Sequence, residues 1–272
     1  MNPRSALRAR GLHPKKRFGQ NFLMDGNIAR KIAQACVDEQ HSLVVEIGAG
    51  TGALTEALIA QGLDVVAVEV DDDLIVLLRE REDLRTTPLV HGDALELDYA
   101  KLVNGRPWIA AGNLPYNIAT PLLLRLIETP DEPHRIVAMI QKDVADRLIA
   151  RPNTPAYGSL SLAVQFRMQV RRAIKLGPGA FYPPPKVDST VVVLDRRKSP
   201  SVEVQNPQGL LQVVRSAFAY RRKTLANSLA LSLGLERSLV QQRLQELGFS
   251  SDVRGEQLNL ATFAALTDAL AI

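Results

Sequence analysis

Between an apolar, β-branched run that ends at Ile47 and a helix-like segment that begins at Ala53 stands Gly48-Ala49-Gly50-Thr51-Gly52, with a glycine at every second position. A strand that enters such a turn and leaves it as a helix constrains the chain strongly. Glycine admits the left-handed backbone the turn needs, and the first helical N–H groups are left facing whatever the turn holds. The first half of the chain repeats the theme. Apolar runs at 43–47, 64–68, 87–90, 108–111 and 135–140 alternate with helix-like segments at 53–60, 72–81, 118–127 and 143–149. This alternation implies right-handed crossovers and a mostly parallel sheet covered on both faces. Two further strands, at 170–176 and 190–195, have no long helix between them and predict an antiparallel edge. The expected fold class is α/β, a Rossmann-like sheet followed by a small α-helical domain.

The texture changes after Arg196-Arg197-Lys198-Ser199-Pro200 to short helices rich in Leu, Ala and Gln, which places a boundary near 200. Residues 1–17 read as a flexible basic tail, 18–199 as the α/β domain and 200–272 as the helical one. Asp25 is the expected N-cap of a helix at 24–37, and Gly177 to Lys186, with Gly-Pro-Gly and Pro-Pro-Pro, reads as a stiff solvent-facing loop. The single cysteine, Cys36, rules out an intramolecular disulfide and a cysteine-cluster metal site, and its apolar neighbours predict a buried thiol. No apolar run reaches the ~18 residues of a membrane span, and no apolar h-region follows the basic N-terminus, so a cytoplasmic protein is expected.

Net charge is +4, but it is unevenly spread: +7 over residues 1–31, −12 over 32–100 and +9 over 101–272. Basic segments flanking an acidic middle fit a protein that docks a polyanion on one face and keeps another for a small ligand. Scattered solvated faces would give the same count.

The G-x-G-x-G spacing differs from the G-x-G-x-x-G of dinucleotide enzymes. A glycine turn alone is a weak signal for a nucleotide. Around Gly48 and Gly50, however, acidic residues stand at successive strand ends: Glu46, suited to a ligand's ammonium group; Glu69, where ribose hydroxyls meet a carboxylate in this architecture; and Asp93, placed for an adenine amine. That set selects S-adenosylmethionine, which carries ribose, adenine and an amino acid but no phosphate. Asp71 to Asp73 read as the cap and first turn of the next helix.

Asn113-Leu114-Pro115-Tyr116 follows the fourth strand. Asn and Pro are turn residues, and a plain turn is one reading. The other is chemical. The lone pair of adenine N6 is delocalised into the ring, and the amine becomes nucleophilic when acceptors hold its hydrogens. The Asn113 side-chain oxygen and the Leu114 carbonyl, kept out of a helical ladder by Pro115, are such acceptors. Tyr116 can stack on the purine. A base flipped out of its stack calls for a second aromatic wall, for which Phe181 is the first candidate and Tyr182 the reserve, with core packing the alternative for both. His91 reads as structural.

With these residues in view, the chain resembles the bacterial small-subunit ribosomal RNA adenine N6,N6-dimethyltransferases, the enzymes whose loss gives kasugamycin resistance. The matching stretches are 16–23 (Lys-Arg-Phe-Gly-Gln-Asn-Phe-Leu), 45–52, 68–71, 92–94, 112–118, the F-x-P-x-P-x-V-x-S pattern at 181–189, and 218–225 with Arg221-Arg222-Lys223-Thr224. The resemblance implies that Asn21 and Leu23 join Gly48, Glu69, Asp93 and Asn113 as cofactor contacts. It also implies that two adjacent adenosines in a hairpin loop near the 3′ end of 16S rRNA are dimethylated, in a late assembly intermediate of the small ribosomal subunit. The basic clusters Lys15-Lys16-Arg17, Arg171-Arg172 and Arg221-Arg222-Lys223 then become candidate contacts to rRNA phosphates. No metal is implied, and a monomer is the expected state. Competing readings are a 23S rRNA adenine N6-dimethyltransferase of the macrolide-resistance type, a DNA adenine methyltransferase, and a non-catalytic binding protein.

Overall fold

A computed structural model of the 272-residue chain describes residues 2–38, 42–129 and 132–272. It divides into two compact units, Met1–Ala145 with Val170–Arg196, and Asp146–Gln169 with Arg197–Ile272.

The first unit is the expected α/β sheet. Its strands are β1 (Phe22–Leu23), β2 (Leu43–Ile47), β3 (Asp64–Glu69), β4 (Leu89–His91), β5 (Trp108–Asn113), β6 (Arg135–Gln141), β7 (Met168–Leu176), β8 (Phe181–Tyr182) and β9 (Ser189–Arg196). Seven of them form one sheet in the order β4-β3-β2-β5-β6-β9-β7. Neighbours from β4 to β6 are parallel, and β9 runs antiparallel to β6. All five residues of β2 are buried, and so are Ile136 to Ile140 of β6, as strands covered on both faces require.

Strand order reverses between β2 and β5, where the chain, having built outward through β3 and β4, returns to build the other side. Ligands of open α/β sheets sit outside the carboxyl ends of the strands at this point. Here those ends are Ile47, leading into the glycine turn, and Asn113. The two strands approach so closely that a Cβ on Gly112 would lie 2.3 Å from the Ile47 carbonyl oxygen. Glycine at 112 is thus a condition of the geometry that brings the turn and Asn113 together.

The helices of this unit are α1 (Pro3–Ala9), α2 (Gly26–Cys36), α3 (Ala53–Ile59), α4 (Asp72–Arg79), α5 (Tyr99–Val103) and α6 (Ala119–Glu128), with α7 at Lys142–Leu148. Asp25 caps α2 through Asn27 N–H at 2.8 Å, and Asp71 caps α4 through Asp73 N–H at 3.1 Å, both as expected. Cys36 is fully buried, and burial pushes its thiol up to about 12.

Two expectations are corrected in this unit. Residues 2–17 are not a flexible tail, with Met1 outside the described residues: Asn2 caps α1, Ala6 and Leu7 are buried against Leu74, Leu77 and Phe22, and Arg10 pairs with Glu80 at 2.7 Å. Two apolar side chains among many basic ones were enough to anchor it. Nor is the whole of 177–186 a solvent-facing loop, because β8 within it pairs antiparallel with β1, Leu23 opposite Phe181 and Phe22 opposite Tyr182.

The second unit holds α8 (Ser159–Arg167), α9 (Pro207–Ala217), α10 (Leu225–Leu233), α11 (Arg237–Glu246) and α12 (Leu260–Ala269). It differs from the expected break near 200 by also containing 146–169. Leu160, Leu162, Val164 and Phe166 of α8 are buried, Tyr157 donates its hydroxyl to the Leu258 carbonyl at 2.8 Å, and Asn153 N–H reaches the Glu256 carbonyl at 2.9 Å. The Tyr157 ring meets Phe218 edge-on at 6.1 Å. Nothing in the composition of 146–169 marks a boundary, since a helix buried almost all round carries no amphipathic stripe.

Candidate active site

At the switch point lies a cavity of about 290 Å³, lined by the glycine turn (Gly48, Gly50), the ends of β3 and β4 (Glu69, Asp93), the loop after β5 (Asn113 to Ile118) and the N-terminal segment from Arg17 to Phe22. A smaller pocket of about 40 Å³ adjoins it, lined by Leu23, Glu46, Gly48, Gly50, Asn113 and Met139. The structure therefore brings together all the expected cofactor residues, six along one crevice and Leu23 and Glu46 at its smaller annex.

Glu69 is 5% exposed. One of its oxygens accepts the Gly50 N–H at 2.7 Å, and the other accepts from Val70 at 2.9 Å and Asp71 at 3.0 Å. Burial raises its carboxyl above the usual range while these three N–H groups pull it down. Glu69 thus braces the glycine turn as well as lining the cavity. Gly50 has φ +62°, which favours glycine, and a Cβ there would sit 3.3 Å from the Phe22 ring, a tight contact to which the ring would have to yield.

Glu46 is 1% exposed, and its Oε2 has no hydrogen-bond partner. Burial, reinforced by the neighbouring Glu69 charge, pushes its carboxyl up to about 8. A buried carboxylate oxygen left unpaired beside a ligand crevice is suited to receive a ligand's cationic group. An amino acid ammonium, a ribose and an adenine amine match the orphaned Glu46 oxygen, Glu69 and Asp93 in turn, so the residues present fit S-adenosylmethionine. Asp93 is exposed, with Oδ1 capping its own turn through Leu95 N–H at 2.8 Å.

The Asn113 side chain donates its amide to the Asn21 backbone carbonyl at 2.6 Å. Because a carbonyl only accepts, it is the nitrogen end of the Asn113 amide that faces Asn21, and the Asn113 oxygen takes no part in this bond. Asn21 in turn donates to the Gly19 carbonyl at 3.0 Å. Tyr116 is half-buried on the cavity wall, with its hydroxyl 2.6 Å from Ser189 Oγ. His91 is occupied by the Val70 carbonyl and Asp72, each at 3.2 Å, a structural role as expected.

Two site expectations are corrected. Phe181 is 4% exposed and packs in the apolar cluster with Leu23, Ala29 and Ile32, and it does not line the cavity. Pairing with Leu23 turns it into the core, the alternative the sequence left open. Lys15 is not free for phosphate either. Its ammonium contacts Asp71 at 2.5 Å and Asp73 at 2.6 Å, and the hydrogen bond to Asp71 heads the interactions that raise its pKa. Gln20 adds a bond to Asp71 at 2.7 Å, so the segment carrying Arg17 to Phe22 is clasped to the start of α4. Lys16, Arg17, Arg171, Arg172, Arg221, Arg222 and Lys223 are exposed, the last three in the second unit. Arg17 stacks over Phe18 at 4.5 Å and lines the cavity.

Sequence reasoning missed Lys15 and Gln20 as a clasp, Asn21 as the partner of Asn113, Ser189 as the partner of Tyr116, and Arg81. Arg81, 4% exposed, donates to the Thr51 carbonyl of the glycine turn at 2.8 Å and pairs with Glu56. Gln20 and Asn21, in the matching stretch 16–23, and Ser189, the last residue of the F-x-P-x-P-x-V-x-S pattern, carried a signal; Arg81 carried none.

A family model for ribosomal RNA adenine dimethylases matches residues 11–264. The chain belongs to this family. Among relatives of this family member, a protein from Streptococcus gordonii named ribosomal RNA small subunit methyltransferase A is 40% identical over 276 residues, covering 98% of the chain and 95% of the relative. A protein of the same name from Pelotomaculum thermopropionicum is 42% identical over 277 residues, covering 97% and 94%. In fold, the dimethylase-family chain is similar to a dimethyladenosine transferase from Plasmodium falciparum (TM-score 0.74, 24% identity, 90% of this chain and 95% of that one). It is also similar to the 23S rRNA methyltransferase ErmE (TM-score 0.68, 23% identity, 93% and 100%). Among the described residues, no helix is long and apolar enough to cross a membrane.

Proposed function

We propose that the protein dimethylates the N6 amines of two adjacent adenosines in the 3′-terminal hairpin loop of 16S rRNA, within the small ribosomal subunit or its late assembly intermediate, using S-adenosylmethionine. Membership of the adenine dimethylase family and the small-subunit relatives support the substrate class. The observation that supports the chemistry is the Asn113 amide nitrogen held by Asn21 on a residue that lines the crevice, which leaves the side-chain oxygen to serve as an acceptor.

S-adenosylmethionine supplies an activated methyl group on a sulfonium, so the protein's task is positioning rather than bond activation. Glu46, Glu69 and Asp93 hold the ammonium, ribose and adenine groups of the cofactor, with Gly48 and Gly50 admitting it close to the backbone and Asn21 and Leu23 closing the other side. The Asn113 oxygen and the Leu114 carbonyl accept the two hydrogens of the target N6 and draw its lone pair out of conjugation. Pro115 keeps the Leu114 carbonyl clear of a helical ladder. Tyr116 stacks on the flipped base, an interaction worth ~1 to 3 kcal/mol. Alignment of amine and methyl accounts for up to ~7 to 11 kcal/mol of barrier lowering. Each transfer releases one N6 proton, which the solvent-facing side of the cavity can take up, so no dedicated general base is assigned. Lys16, Arg17, Arg171, Arg172, Arg221, Arg222 and Lys223 neutralise rRNA phosphates; Lys15 instead clasps the N-terminal segment.

The test offers methyl-labelled cofactor to unmethylated small subunits, large subunits and DNA, and maps the product. Label is expected in two adjacent adenosines of small-subunit RNA, and label found mainly in large-subunit RNA would sink the substrate assignment. Asn113→Ala is expected to abolish transfer while subunit binding persists; near-normal turnover would refute the role given to its side chain.

A further inference from the structure

Tyr116 is the aromatic side chain that the loop from Asn113 to Ile118 contributes to the cavity wall, and its hydroxyl is held at the far end of the ring. Its hydroxyl lies 2.6 Å from Ser189 Oγ. Ser189 is 1% exposed, the first residue of β9, and paired opposite Gln141 at the end of β6. Lys142 N–H donates to the Asp188 carbonyl at 2.9 Å, so the ladder is hydrogen-bonded up to the residue before Ser189. The serine hydroxyl is therefore a fixed point of the sheet. Tyr116, by contrast, sits half-buried in a loop after Pro115, and this bond ties the far end of its ring to that fixed point. Ser189 is not among the residues that line the cavity.

We propose that Ser189 is a positioning residue for adenine methylation: its hydroxyl locks the plane of the Tyr116 ring, and through it the angle at which the target amine meets the methyl group. The inference rests on the reading of the cavity as an adenine site. An unlocked ring still stacks, but it samples planes in which the amine is out of line, and the loss falls on the transfer step. Cofactor affinity is unaffected, because the residues that line the cofactor's part of the crevice do not include Ser189.

Ser189→Ala, Tyr116→Phe and the double variant test this by single-turnover methylation of small subunits under saturating cofactor, with calorimetric cofactor affinity and thermal melting alongside. Loss of one hydrogen bond at a positioning contact corresponds to a rate loss of about 3- to 10-fold. Each single variant is expected to lose that much, and the double variant no more than either, because all three lack the same bond; cofactor affinity stays at the wild-type value. Multiplying losses in the double variant, or a Ser189→Ala rate equal to wild type, would overturn the inference while leaving the adenine reading intact. Should Ser189→Ala fold poorly, Tyr116→Phe tests the same bond from its other end, and a wild-type rate there overturns the inference equally. A wild-type rate for Tyr116→Ala would overturn the adenine reading and the inference together.

Discussion

Replacing Glu46 by glutamine should change how stability depends on pH. The buried carboxyl titrates at about 8, against an ordinary 4.5. Between those values the folded chain keeps a proton that the unfolded chain has released, so the folded state binds more protons and stability falls as pH rises; the loss is complete once pH passes the folded pKa. At about 1.4 kcal/mol per pH unit, ionised Glu46 destabilises the fold by on the order of 4 to 5 kcal/mol above pH 8, and by roughly 3 kcal/mol at pH 7. Glu69, also raised, acts with the same sign, so the informative quantity is the difference between wild type and Glu46→Gln. Urea unfolding followed by the fluorescence of Trp108, the single tryptophan and buried in β5, reports on the correct unit. The variant's advantage over wild type is expected to grow by about 1.4 kcal/mol per unit from pH 5 to pH 8. Parallel curves would refute the buried, protonated carboxyl. A second arm concerns the ligand: an ammonium beside Glu46 favours its ionised form, so cofactor binding near pH 7 should release a proton in wild type and not in the variant. Calorimetry in buffers of different ionisation enthalpy reads this, and equal proton release by both proteins would remove Glu46 from the cofactor site.

Phe181→Ala removes a core side chain and is expected to cost about 3 to 5 kcal/mol of stability, seen as a lowered melting midpoint; an unchanged midpoint with lost methylation would restore Phe181 to the pocket wall. For Lys15→Ala, a partly exposed ion pair predicts a stability loss under about 1 kcal/mol, with cofactor affinity reduced several-fold as the clasped segment loosens, and unaltered affinity in calorimetry would deny the clasp a role at the site. Substituting Arg221, Arg222 and Lys223 together by alanine should weaken binding to small subunits and flatten its logarithmic salt dependence by roughly 0.7 to 0.9 per lost phosphate contact; an unchanged slope would take these side chains off the RNA.

The site's strand-borne half was legible in the sequence because backbone geometry put it there. Glu69 and Asn113 end, and Gly48 and Asp93 follow, strands with an apolar pattern, and a parallel sheet delivers all its carboxyl ends to one edge. What stayed hidden depends on pairings across long sequence separations. Lys15 in a basic run looks like a phosphate contact until Asp71 and Asp73, more than fifty residues on, claim its charge. Phe181 looks like a pocket wall until the two-residue β1 turns it inward. Ribbons that short carry no periodicity, and a helix buried almost all round, such as α8, carries no stripe.

That helix has a consequence for the order of events during synthesis. The stretch 146–167 leaves the growing chain before β7 and β9 do, yet its partners, among them Leu258 and Glu256, are made almost last. The sheet can be completed once Arg196 is available, while Leu160, Leu162 and Phe166 wait with apolar surface exposed. A truncation at the 197–200 segment would make that wait permanent. It would yield a finished sheet carrying an unsatisfied apolar helix, prone to associate with itself, so removing the helical unit cleanly requires two cuts rather than one.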